Sequence, residues 1–153
     1  MNLLACASKP AMPEMQHHTI MSARAEAFTQ TMRRLWAEEV ILRRRYVSDG
    51  TQELRTRLLA KQEEIGNAIA PYYGADAAQK LTDLLERRAL MAPDDPHARE
   101  NSAAIAALLK IPSIAAMLDD LFPMKELSPA FNQGMAIADA FAHGIVMQFP
   151  DRF

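Results

Sequence analysis

Residues 28–51 read FTQTMRRLWAEEVILRRRYVSDGT, and the spacing in this stretch decides the fold class. Stepped at about 100° per residue, Phe28, Met32, Leu35, Glu39, Leu42 and Tyr46 fall on one face, with Trp36 and Val47 beside them. Arg34, Glu38 and Arg45 fall opposite. This is the pattern of an amphipathic helix laid against a core. Ser48-Asp49-Gly50 stops it, and the Thr51 hydroxyl is placed to cap a second helix. One position breaks the pattern: Glu39 stands mid-stripe, where the spacing calls for leucine. A carboxylate turned into a helical interior is costly unless a neighbouring group or a ligand satisfies it.

The same signal extends outward. Leu54, Leu58, Gln62, Ile65 and Ile69 form a second stripe that ends at Pro71, and Gly66 on the same side lets a neighbouring helix approach closely. After Pro71-Tyr72-Tyr73-Gly74, Asp76 is positioned to cap a third helix. Its stripe is Leu81, Leu84, Leu85, Arg88 and Met91, closed by Pro93. Gln62 and Arg88 thus repeat the anomaly of Glu39. Asp95-Pro96 reads as a cap with proline in the first turn, opening a helix through Ile105, Leu108 and Leu109 that Pro112 interrupts. A short helix follows over 113–122, then a connection over 123–129. The last helix spans about 130 to 148, with Phe131, Met135, Ala138, Ala142 and Ile145 inward and Asp139 flanking them. No stretch alternates with period two, and there are only five glycines, so no sheet is expected. The expected class is all-α: an antiparallel bundle of four main helices with a short interrupted segment in its second half.

Composition bounds the rest. A chain of 153 residues, half of them apolar, is long enough to bury a core without disulfides or a structural metal. The net charge of −2 lacks the basic excess of a dedicated nucleic-acid binder. No apolar run is long enough to span a bilayer. Residues 1–20, with Pro10, Pro13, His17 and His18, have no sustained period and read as a disordered tail before one helical domain over 21–153. The single Cys6 has no intrachain partner. Leu3-Leu4-Ala5-Cys6 looks like a lipoprotein cleavage box but lacks the basic start and apolar stretch of a signal peptide. The expected location is cytoplasmic, with an exported lipoprotein as the alternative if the true start lies upstream of Met1.

Certain segments carry a resemblance. Leu35-Trp36, Glu64-Ile65-Gly66-Asn67-Ala68-Ile69, Pro71-Tyr72-Tyr73-Gly74, Leu81-Thr82-Asp83-Leu84-Leu85 and the closing Gly144-Ile145-Val146-Met147-Gln148-Phe149-Pro150-Asp151-Arg152-Phe153 resemble a family of small bacterial all-helical proteins without an assigned biochemistry. The likeness covers residues 35–91 and 130–153 and is poor over 93–129. In that family histidines tend to occupy the positions held here by Glu39 and Arg88, with a further one near Gln133. This chain departs at all three, so it resembles a divergent member. Some relatives carry the label glycosyltransferase, but nothing here resembles a sugar-nucleotide fold, and no Gly-rich phosphate loop is present.

The chemistry narrows accordingly. No glutamate is followed by histidine three residues later, as carboxylate-bridged di-iron bundles require. His17, His18, His97 and His143 do not share a stripe, and no serine sits in a nucleophile elbow. The Arg43-Arg44-Arg45 run reads as a solvated face, with Glu39 pairing Arg43 at i,i+4. The candidate internal site is Glu39, Gln62, Arg88 and Asp139, and its simplest form is a network in which Arg88 forks onto Glu39 while Gln62 satisfies what remains. The leading expectation is a non-catalytic bundle that binds a partner protein or a small ligand. Ten methionines, several on the inward stripes, suit an adaptable binding surface. The alternative is a divergent metal- or cofactor-binding bundle built around those four residues and Glu64, with no particular cofactor implied. An enzyme using Glu39 as general acid or base stands third. Apolar surface left by the broken middle helices gives room for a homodimer.

Overall fold

The structure, a computed structural model, describes residues 21–153. The expectations for the tail, Cys6, His17 and His18 lie outside the described residues. Seven α-helices follow one another without a strand among those residues: α1 Ala23–Asp49, α2 Gln52–Ala68, α3 Ala70–Tyr73, α4 Ala75–Leu90, α5 Ala98–Leu109, α6 Ser113–Leu121 and α7 Leu127–Gln148, with a closing 3-10 turn Pro150–Arg152. The described residues form an all-helical fold, as the periodicity predicts.

Local chemistry sets the ends. The Ser22 and Thr51 hydroxyls accept from Ala25 N–H and Leu54 N–H, capping α1 and α2. Gly50 closes α1 in the left-handed region, at φ 63°, where a side chain would be strained. Other ends differ from the sequence reading. Asp76 lies in the first turn of α4 rather than at its cap, which is Gly74. Pro71 does not end a helix. It sits early in the one-turn α3, where its missing N–H is no loss. α5 starts later than expected, at Ala98, because Asp95 Oδ1 accepts from His97 N–H and folds the approach into a turn. α7 starts three residues earlier than expected, and Pro129 is accommodated in its first turn.

α1 packs on α2 and α7, α2 on α4, α4 on α5, α5 on α6, and α6 on α7. The main core joins Met32, Leu35 and Trp36 of α1 to Ile65 and Ile69, Leu81 and Leu85, Ile105 and Leu109, Ile114 and Leu118, and Ile137, Phe141 and Ile145. Trp36 meets Phe141 edge-on at 5.3 Å between ring centroids. A smaller cluster of Leu42, Leu54, Leu58 and Ala89 fills the end beside Gly50. Close approach is bought with glycine. A Cβ on Gly66 would lie 2.9 Å from the Ala78 carbonyl and would overlap the Thr82 hydroxyl, while one on Gly134 would meet Val40 Cγ2 at 2.8 Å. Most stripe positions are buried as read, but Val47 is 66% exposed and Tyr46 only half-buried, because α1 runs past the body of the protein in its last turn. That overhang forms one wall of the site described below.

Candidate functional site

Glu39, Gln62 and Arg88 are all buried, at 5%, 1% and 5% exposure, so the three anomalous stripe positions do point inward. They border one small chamber of about 10 Å³, walled also by Trp36, Arg43, Leu85, Leu121 and Phe122. Their connections differ from the expected fork. Among the described residues Arg88 makes no ion pair with Glu39. It donates instead to Ser102 Oγ at 2.8 Å, to Asn101 Oδ1 at 3.3 Å and to the Leu118 carbonyl. These partners draw the guanidinium away from α1 and tie α4 to α5 and α6. Glu39 is left with one long contact, from Gln62 Nε2 to Oε1 at 3.4 Å, while the same amide donates to the Leu58 carbonyl at 3.1 Å. Glu39 Oε2 and Trp36 Nε1 are buried without a hydrogen-bond partner among the described residues.

The expected Glu39–Arg43 pair is not closed either. Arg43 donates to the Arg88 carbonyl at 3.1 Å and lies over the Phe122 ring, its Cζ 4.8 Å from the centroid. Arg88 stands at the same distance from that ring. Two guanidiniums therefore converge on one aromatic side chain. Burial pushes the Glu39 pKa up, against the opposing pull of Arg43, the Gln62 amide and Arg88. Burial, followed by repulsion from Arg43, pulls Arg88 down to about 10, with Glu39 and Asp119 opposing. Burial lowers Arg43 in the same way.

Outside this chamber lies a cleft of about 550 Å³ between the overhanging end of α1, the α4–α5 connection at Met91 and Pro93, and the α6–α7 connection. Glu39, Arg43, Leu121 and Phe122 line both spaces, so the buried carboxyl stands where the cleft meets the chamber. Val40, Val47, Met91, Pro123 and Met124 supply apolar wall, and Arg44, Arg45 and Lys125 supply charge. Arg44 is steadied by donating to the Met124 carbonyl at 3.0 Å. The volume falls in the range of small-molecule sites.

Asp139 stands apart from the other three predicted residues. It accepts a two-pronged bond from Arg33, at 2.7 and 2.8 Å, with both side chains 45% exposed, so it is a surface ion pair linking α7 to α1. Glu64 pairs with Lys61 at 2.8 Å on the other side of α1, where Lys61 also meets Glu38. The oxygen ligands of the metal reading are thus dispersed. Among the described residues no three His, Cys, Asp or Glu side chains converge as a metal would need. Gln133 binds the Met117 carbonyl at 2.9 Å. The sequence reading missed Asn101 and Ser102, both buried, and Arg43 and Phe122 as site residues. Asn101 and Ser102 carried a signal: they share a stripe with Ala98, Ile105 and Leu109 and break it with polar groups, as Glu39 does. Phe122, in the connection after α6, offered none.

Comparison of the chain with family profiles, with curated proteins and with solved structures gives no match. Function therefore rests on the geometry. Among the described residues no helix is long and apolar enough to cross a membrane.

Proposed function

We propose that the protein is a non-catalytic binding protein for a small ligand with an apolar body, taken in the cleft between α1 and the α6–α7 connection. The observation that carries this reading is a cleft of about 550 Å³ with predominantly apolar walls and a buried, incompletely bonded carboxyl at its inner end. A purely structural network would close on itself. Here Arg88 is bonded to α5 and α6, while Glu39 Oε2, where the cleft meets the chamber, and Trp36 Nε1 in the chamber have no partner among the described residues. The α1, α2, α4 and α7 helices serve in this reading as an antiparallel four-helix scaffold. It is supported by the reversed order of the pairs Leu42–Leu54 near the first turn and Glu39–Gln62 further from it. A divergent member of the small bacterial all-helical family suits the same picture. Its two recognisable segments supply α2, α4 and the C-terminal helix, while the segment with the poorest likeness supplies one wall of the cleft.

The test uses N-phenyl-1-naphthylamine, an uncharged probe whose emission rises in apolar surroundings. Saturable binding of one probe per chain is expected. A Val47→Trp substitution, which fills the cleft mouth from an exposed position, should weaken it at least about tenfold. Probe binding that is unsaturable, or indifferent to Val47→Trp, would overturn the reading.

A further inference from the structure

The composition of the cleft says more about what it takes. Four of its lining side chains, Arg43, Arg44, Arg45 and Lys125, are cationic, against the two carboxyls of Glu39 and Asp49, whereas the chain as a whole carries a net charge of −2. A positive cleft on an acidic protein is a local concentration of charge, and apolar walls strengthen its field by excluding water. Placement within the cleft refines this. Arg45 and Lys125 are exposed at the rim, where water screens them. Arg44 is half-buried and already donates to the Met124 carbonyl. Arg43 lies deepest of the four, between the cleft and the inner chamber, its Cζ over the Phe122 ring. Among the described residues it makes a single hydrogen bond, to the Arg88 carbonyl, from a group with five N–H donors. A guanidinium held against an aromatic ring, with donors left over at the inner end of an apolar cleft, is a fork suited to a carboxylate.

We propose that the ligand is an amphipathic monocarboxylate, whose carboxylate is bound by Arg43 and whose apolar body lies along Val40, Val47, Met91 and Met124. The inference rests on the cleft being the binding site. Glu39 on the same wall decides the charge of the head group. A dianion such as a phosphate monoester would set two negative charges against the neighbouring carboxyl, while a monoanion sets one. A cationic amphiphile meets four like charges and is excluded.

The discriminating experiment is calorimetric titration of the full chain with decanoate, decanol and decyltrimethylammonium, all below their micelle-forming concentrations. The three probes share an apolar body and differ in head charge. Decanoate should bind one per chain and about tenfold or more tighter than decanol, the scale of one charge-assisted hydrogen bond, and the ammonium should bind weakest. Raising the salt concentration should shrink the gap between decanoate and decanol. Arg43→Gln should remove most of that gap, and if that variant fails to fold, the exposed-site variant Lys125→Gln should reduce it by a smaller factor. Decanol binding as tightly as decanoate, or the ammonium binding best, would overturn the carboxylate assignment and leave the cleft reading standing. So would capture of the naphthylamine probe without any of the three. Failure of all four probes would overturn both.

Discussion

Glu39 is the residue whose environment is least resolved by the fold itself. It is 5% exposed, faces Arg43 and Arg88 without touching either as an ion pair, and has one oxygen unpartnered among the described residues. Because burial raises its pKa above the ordinary 4.5, the folded state holds a proton that the unfolded chain releases. Stability from this group is therefore full below about pH 4.5 and falls as pH rises through the folded value. Glu39→Gln should abolish that slope: urea midpoints of the two proteins, measured from about pH 4 to about pH 8, should diverge in favour of the variant as pH rises. Arg88 is the opposite case. Its donors hold Asn101, Ser102 and the Leu118 carbonyl; Ser102 still donates to the Ala98 carbonyl and the Leu118 carbonyl still accepts from Phe122 N–H, so Arg88→Met leaves the buried Asn101 Oδ1 without a partner and should cost roughly 1–3 kcal/mol in the same melts. Both residues stood out in the sequence as polar interruptions of apolar stripes, and both are buried. Their partners were not legible, because a helical stripe fixes which way a side chain points but not which helix it meets. The same limit placed Asp139 in the interior when its bond to Arg33 holds it at the surface.

At the scale of elements, contact between α2 and α4 depends on the absence of a side chain. A methyl on Gly66 would press on the Ala78 carbonyl, a backbone atom that α4 cannot move locally, as well as on Thr82. Gly66→Ala should therefore destabilise by about 1–3 kcal/mol despite its better helix propensity, a sign that urea denaturation would read directly. The opposite sign is expected where α5 gives way to α6. Lys110 closes α5 at φ 59°, the only non-glycine residue among those described in the left-handed region. Lys110→Gly should raise stability by about 0.5–1 kcal/mol in the same assay. Proline and glycine marked most of these element boundaries in the sequence. Where the reading slipped, as at Asp76, Pro96 and the start of α7, proline or a capping residue lies within the first turn or the approach to it, and sequence alone leaves a choice of two or three residues.

Over the whole molecule, the two ends of the described chain are fastened by aromatic rings. Phe153 stacks on Tyr72 at 5.0 Å between centroids and tilts against Phe28 at 5.4 Å, while Tyr73 donates to the Leu109 carbonyl at 2.8 Å. Phe153→Ala should lower stability by about 1–3 kcal/mol, read as a lower thermal midpoint, with cleft binding unchanged because these rings lie away from its lining. All-helical architecture and the inward faces were legible because period and proline placement are local properties. The cleft was not, since it arises where α1 outruns its neighbours and two irregular connections close over it, a long-range arrangement that no stripe encodes. One consequence remains in the placing of Trp36. The chain has a single tryptophan, and its indole is 2% exposed, walls the inner chamber and leaves its N–H unpartnered among the described residues. The tryptophan emission of this protein, selected by exciting beyond the tyrosine absorption, thus comes from one chromophore seated beside the inner end of the cleft, so occupancy should register as a spectral shift in the unlabelled wild-type chain.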